Sequence, residues 1–231
     1  MKGIGMFRLF FFIMLMCGVS LSANAAPCYG TDMPGARKLT TGIQSYSILD
    51  RDLEGDSGSV RSTQSFLILS YGVYDWLAID LKGGAGNIKQ HPPTSDELDY
   101  RSSFAGGYGL RILVYDSKAI KAVFGFQHIS VHPSSTDIGD TKHRAILDDW
   151  QASFLVSRGF NKCTPYAGIR LSRVDYIHWN NGQRKRVMSD LTENIGLILG
   201  TDFLLSDKIR INLEGEFFDT EAFSLGIDYR F

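Results

Sequence analysis

The stretch Phe223-Ser224-Leu225-Gly226-Ile227-Asp228-Tyr229-Arg230-Phe231 decides the fold. Phe223, Leu225, Ile227, Tyr229 and Phe231 fall on one parity, and Ser224, Gly226, Asp228 and Arg230 on the other. A β-strand has period two, so this segment has one wholly apolar face and one polar, charged face. The pattern recurs upstream. In 208–217, Ile209, Ile211, Leu213, Gly215 and Phe217 oppose Lys208, Arg210, Asn212, Glu214 and Glu216. In 191–203, Leu191, Ile195, Leu197, Leu199 and Phe203 oppose Thr192, Asn194, Gly196, Gly200 and Asp202. Segments 76–85 and 103–114 alternate in the same way.

The N-terminus reads differently. Lys2 and Arg8 precede an apolar run from Leu9 to Met16, and Ala23-Asn24-Ala25 has the small-x-small form of a cleavage site. These are the parts of a secretory signal peptide, expected over 1–25. The apolar run is shorter than the ~20 residues of a spanning helix. A lipoprotein would need small residues before Cys17, where Leu15 and Met16 stand. The 231 residues carry a net charge of −1, which gives no case for nucleic-acid binding. Mean hydropathy is near zero. That value suits a soluble protein, and it equally suits a membrane barrel, whose lipid-facing and lumen-facing residues cancel in any window. A soluble sandwich also alternates.

An export signal with a C-terminal alternating strand ending on Phe231 resembles Gram-negative outer-membrane β-barrels. In that family the terminal aromatic is read by the barrel assembly machinery. The resemblance implies an all-β, antiparallel up-and-down barrel integral to the outer membrane, in contact with its lipids, lipopolysaccharide included. Strands are expected at 39–49, 61–71, 75–86, 100–114, 118–131, 148–158, 163–177, 191–204, 207–217 and 221–231. Ten is an even number, as single-chain bacterial barrels require. Eight is the alternative, because 40–49 alternates poorly. Connections at 72–74, 115–118, 159–162 and 205–206 are short, while those at 50–60, 87–99, 132–147 and 178–190 are long. Short turns are periplasmic in such barrels, so both termini are expected in the periplasm. Residues 26–38 then form a periplasmic N-terminal segment, followed by the barrel over 39–231. The expected lumen face carries Asp80, Lys82, Arg111, Gln127, Arg170, Arg210, Glu214, Glu216, Asp228 and Arg230. Mixed charges on that face are expected to pair and plug a bore too narrow for an open channel. Such a barrel suits a non-catalytic role at the envelope surface, and its oligomeric state is open.

One segment carries possible chemistry: Phe124-Gly125-Phe126-Gln127-His128-Ile129-Ser130-Val131-His132. His128 and Ser130 continue the apolar face of Ala122, Phe124 and Phe126. Residues two apart on a strand lie roughly 7 Å apart, within reach of a leaning imidazole. A histidine that accepts the serine proton makes a nucleophile for an acyl ester. The segment resembles two outer-membrane lipid hydrolases, the lipid A deacylase and phospholipase A, which carry a His-x-Ser pair on a barrel's outer face. The resemblance implies His128 as general base and Ser130 as nucleophile, with Asp148 as orienting acid. The sequence departs from those enzymes after the serine, where Val131-His132 stands in place of Asn and a small residue. His128-x-Ser130-x-His132 also looks like a segment of uncharacterised outer-membrane barrels. The other reading is a polar patch in the interfacial belt.

Asp175 and His178 resemble the Asp-His pair of the omptin proteases, but residues three apart on a strand face opposite ways. His128 and His132 are too far apart on a strand to share a metal ion. No cofactor is expected. Arg184-Lys185-Arg186 can grip lipopolysaccharide phosphates or form a solvated loop face. After cleavage two cysteines remain, Cys28 and Cys163. Both are expected on the oxidising periplasmic side, which favours a disulfide over two free thiols.

Overall fold

A computed structural model describes residues 29–117 and 119–231. The expected signal peptide and Cys28 lie outside them. Cys163, its expected disulfide partner, is described, with Sγ 3.3 Å from Thr201 Oγ1. The described chain is almost entirely strand: β1 (Leu39–Asp50), β2 (Ser59–Tyr74), β3 (Leu77–His91), β4 (Leu98–Asp116), β5 (Ile120–His132), β6 (Thr136–Ile138), β7 (Thr141–Arg158), β8 (Cys163–Asn180), β9 (Gln183–Met188), β10 (Ile195–Leu204), β11 (Ile209–Phe217) and β12 (Glu221–Arg230). Ten of these form a closed antiparallel ring. β1 pairs with both β2 and β12, and β7 pairs with β8, so the ring has no free edge. Strands β6 and β9 are short arms that pair with β7 and β8. The poorly alternating first segment is a full member of the ring, because closure recruits it from both sides.

The strands run longer than expected, at the end of the barrel away from the chain termini. Residues 87–91, 98–99, 141–147 and 178–180, expected in long loops, extend β3, β4, β7 and β8. The reason is visible along β2. Near the terminal end its outward residues are Leu67, Leu69 and Tyr71; farther along they are Arg61, Thr63 and Ser65. Its inward residues, Ser70, Ile68, Phe66, Gln64, Ser62 and Val60, are mixed throughout. The inward change to apolar residues is carried by β3, β5, β7 and β8, where Ile88, Val131, Leu147 and Val174 succeed Asp80, Gln127, Gln151 and Arg170. The barrel wall is therefore apolar outside over one belt and polar outside beyond it. The identity of the apolar face inverts, with a register shift between β3 and β4 at Gly86–Ile88, so the far portion lacks the pattern of a lipid-facing strand.

The bore is filled in two layers. At the far end, Val60, Ile88, Tyr100, Val131, Leu147, Val174 and Tyr176 form an apolar core like that of a soluble protein. The remainder is a network of ion pairs. The Arg111 guanidinium donates to both Asp80 carboxylate oxygens, at 2.9 and 2.8 Å. Arg210 donates to Asp228 through Nε at 3.0 Å, and Lys82 donates to Gln44 at 2.8 Å. Arg170 binds Asp219 through Nε and Nη2, both at 2.8 Å, and pairs with Glu216. Arg51 joins Asp219 at 3.1 Å, Ser172 donates to the same carboxylate, and Tyr46 donates to Glu216 at 2.9 Å. Gly196 faces Asp219 so closely that a Cβ would overlap the carboxylate. A charge removed from water needs such pairing. The charged lumen residues expected from sequence are thus inward, as is the neutral Gln127, with Arg230 at the mouth. The charged plug is only part of the filling, since the apolar layer occupies the rest.

The described part of the 26–38 segment enters the bore from the end that holds both termini. Tyr29 and Thr31 are buried. Arg111 donates to the Asp32 carbonyl at 2.6 Å, Arg210 reaches the Asp32 carboxylate at 3.2 Å, and Arg230 pairs with that carboxylate too. Thr31 donates to Ser157 at 2.6 Å, and the Tyr29 ring lies 4.2 Å from Lys82 Nζ. Gly72 lies where the Gly35 carbonyl leaves no room for a Cβ. Arg111, Arg210 and Arg230 converge on Asp32, a long-range pairing with no periodic signature in sequence.

Two outcomes follow. Asp219→Ala leaves two buried guanidinium groups facing one another and is expected to cost about 3–5 kcal/mol of unfolding free energy. Urea unfolding in lipid vesicles measures it, and a loss below about 1 kcal/mol would assign the network no more weight than a surface pair. Asp32→Ala is expected to speed amide exchange at 29–33 while leaving the strands unchanged, as read by hydrogen-exchange mass spectrometry.

Candidate functional site

The inverted wall has a boundary, and on β4, β5, β7 and β8 the strand register gives its composition level by level. Phe126 is opposite Ala152, which is opposite Leu171: an apolar level. The next level runs Tyr108, His128, Trp150, Arg173. Above it lie Gly106, Ser130, Asp148 and Asp175. The outermost shared level is Arg144, Trp179, Arg184 across β7, β8 and β9. Aromatic and amphipathic residues thus separate an apolar belt from an arginine-rich rim.

His128, Ser130 and Asp148 all point away from the bore, since their neighbours Gln127, Ile129, Leu147 and Asp149 are the inward, buried ones. Their mutual geometry differs from the expected triad. The Ser130 hydroxyl lies 2.8 Å from His132 Nε2 and donates a short hydrogen bond to Asp148 Oδ1. His128 is turned onto aromatic rings instead. Its ring centroid is 4.0 Å from that of Trp150 and 5.5 Å from that of Tyr108. His128 Nε2 approaches Asp148 Oδ1 only to 3.8 Å, beyond hydrogen-bond distance. The structure therefore brings Ser130 and Asp148 together, and it adds His132, to which the resemblance gave no catalytic role. The spacing was symmetric: His128 and His132 are each two residues from Ser130 on the same face. Sequence cannot say which way along the strand a side chain leans.

A hydroxyl has one proton to give. When Ser130 donates that proton to Asp148 Oδ1, His132 donates to the Ser130 oxygen through its Nε2–H. In the other tautomer His132 Nε2 accepts the serine proton and is placed as a base. The cluster therefore holds a serine between a base and a carboxylate, on a wall facing outward.

Around it, the rim is basic and aromatic. The Arg144 and Arg184 guanidinium carbons lie 5.2 and 5.9 Å from the Trp179 ring centroid. Arg186 donates through Nε to Asp175 at 2.8 and 2.7 Å. Asp175 faces outward and His178 inward, so these two form no joint site. Among the described residues no group of three His, Cys, Asp or Glu side chains is arranged to hold a metal ion.

No protein-family model matches the chain, and no curated protein matches it. Solved structures similar to it include Ail, the attachment invasion locus protein of Yersinia pestis, at 11% identity, covering 86% of this chain and 100% of that one, with a TM-score of 0.42. The outer-membrane protease OmpT of Escherichia coli matches at 10% identity over 84% of this chain and 97% of its own, with a TM-score of 0.40. The transport unit of the autotransporter AIDA-I from Escherichia coli matches at 11% identity over 90% of this chain and 95% of its own, with a TM-score of 0.44. These likenesses are distant, and the barrel architecture stands on the chain's own strand pairing.

Proposed function

We propose that this protein is an integral outer-membrane β-barrel with a closed bore, whose working surface is its outer wall at the lipid headgroup level. The observation that carries the reading is the inverted wall. Leu67, Leu81, Ile169, Ile195, Leu225 and Ile227 are exposed on the outside of a ring whose inside holds Asp80, Arg111, Arg170 and Glu216. In water that allocation is unfavourable for both sets, because apolar area is left wet and charges lose their hydration. In a bilayer it is the expected one for a barrel. The short-turn end, which holds both termini, is then periplasmic, and the extended β-wall stands at the cell surface. Arg144, Arg184 and Arg186 meet the phosphates of outer-leaflet lipid, lipopolysaccharide included, with Trp179 between the first two. Because the bore is filled from both ends, the barrel adds a surface to the envelope and not a conduit. Reconstituted into planar bilayers it is expected to give no stable single-channel current; ohmic steps that persist in the wild type would refute the closed-bore reading. Arg144→Ser with Arg184→Ser is expected to weaken binding to lipopolysaccharide vesicles, most at low salt, in a vesicle-flotation assay.

A second reading has its own support in the Ser130 cluster: a lipid ester hydrolase. Ser130 lies one level above the aromatic ring of Tyr108, His128 and Trp150, at the depth where lipid acyl esters meet the headgroups. In this reaction His132 Nε2 takes the Ser130 proton as Oγ attacks the ester carbonyl. The acyl group passes to the serine, and the proton goes to the departing alcohol. Water then releases the fatty acid by the reverse proton path. The experiment is mass spectrometry of outer-membrane lipids incubated with refolded wild type, Ser130→Ala, His132→Ala and His128→Ala barrels. Wild-type acyl loss is expected to fall at least 100-fold in Ser130→Ala and His132→Ala. Acyl loss that depends on His128 and not His132 would restore the original assignment. No acyl loss by wild type, with or without calcium, would refute the hydrolase.

A further inference from the structure

The β9 arm is basic on both faces. Arg184 and Arg186 point to the outer wall, while Lys185 is opposite His178 and turns over the mouth of the barrel. There it lines a half-open cavity of about 250 Å³, together with His143, His178, Asn180, Ser57 and Asp56. The cavity draws on the β1–β2 connection, the β3–β4 connection, β7, β8 and β9, and it lies apart from Ser130, across the wall.

We infer that this cavity is a binding site for a single anionic sugar, a hexose unit carrying a carboxylate or a phosphate. Three basic side chains converge on it, from β7 (His143), β8 (His178) and β9 (Lys185), against one lining carboxylate, Asp56 from the β1–β2 connection. His178 Nδ1 is buried without a hydrogen-bond partner, although the Tyr176 ring packs 5.2 Å away, centroid to centroid. A buried ring nitrogen left without a partner is costly. Ser57, Asn180 and the cavity's other polar side chains suit sugar hydroxyls. Pockets for drug-sized ligands start at about 300 Å³, so this one fits a monosaccharide or a smaller anion. Beyond the apolar belt, burial together with Lys185 and His143 holds the His178 imidazole below the usual histidine range. A bound anion offsets that repulsion and stabilises the imidazolium, so binding raises the His178 pKa.

The test is a titration of the refolded full-length mature barrel, labelled with nitrogen-15 at histidine, with glucuronate, glucose 6-phosphate and glucose. With at least one of the two acids, His178 and His143 resonances are expected to move saturably, with a Kd on the order of 1 mM. The His178 titration curve is expected to shift to higher pH. His128 and His132, on the outer wall, serve as internal controls and are expected to stay fixed. A response to only one acid identifies the charged group. Lys185→Gln, on an exposed arm, is expected to weaken binding about tenfold while leaving the barrel folded. The inference is overturned if neither acid moves His178, if glucose moves it equally, or if Lys185→Gln binds as tightly as wild type.

Discussion

Closure of the ring is the constraint on which the rest of this molecule depends. Once β1 pairs with β12 and β7 with β8, every strand has two neighbours, so no row of backbone donors and acceptors is left open. Each residue must then face either the bore or the outside, with nothing in between. That binary choice explains why charges such as Asp80, Arg111, Arg170 and Glu216 can be buried at all. They sit in a space whose walls fix their partners, and the pairing geometry is set by register before any side chain chooses a rotamer. Gly196 and Gly72 mark where the allocation is tightest, one beside Asp219 and the other beneath the Gly35 carbonyl.

Much of this was legible because period two is a local signal. Most of the ring strands, the outward His128 and Ser130, and the inward charges on β3, β4, β8, β11 and β12 follow from parity, whereas β1 alternates poorly and joins the ring through closure. What escaped the sequence was non-local. Asp32, Arg51 and Asp219 lie outside the ring strands or at their ends, in segments without periodicity, yet they complete the interior network. The extensions of β3, β4, β7 and β8 escaped for a different reason. There the apolar parity reverses, and a search for lipid-facing alternation ends where the lipid-facing belt ends. His132 escaped because spacing is blind to direction, so only the lean of the imidazole separates it from His128.

The two faces of the wall carry different physical meaning. An ionic group inside the bore has a structural explanation, since Arg170 without Asp219 and Glu216 would be an uncompensated buried charge. Ser130, His132 and Asp148 have no such task. They hold nothing across the bore, and removing them leaves the interior pairing intact. Polar residues at a lipid boundary are tolerated where they meet headgroups, so tolerance accounts for one such residue at a time. It does not account for a serine bonded at once to an imidazole and a carboxylate. The cluster therefore has a claim on function that the larger interior network lacks, although the interior contains many more charges.

The wall is also unequal in height, and this inequality separates surface from scaffold. β10, β11 and β12 have 10, 9 and 10 residues, while β2, β4, β7 and β8 have 16, 19, 18 and 18. At about 3.4 Å per residue, eight extra residues add roughly 27 Å of chain along a tilted strand. A short strand spans the apolar belt and stops, so it can contribute only to the scaffold. A tall one has a second half whose outward face is polar and whose inward face is apolar, which is the allocation of a protein in water. The tall side consequently carries both the Ser130 cluster, at the change of environment, and the His143–His178–Lys185 cavity beyond it. Two solvents acting on one continuous set of strands produce that division, without a second domain and without a break in the sheet.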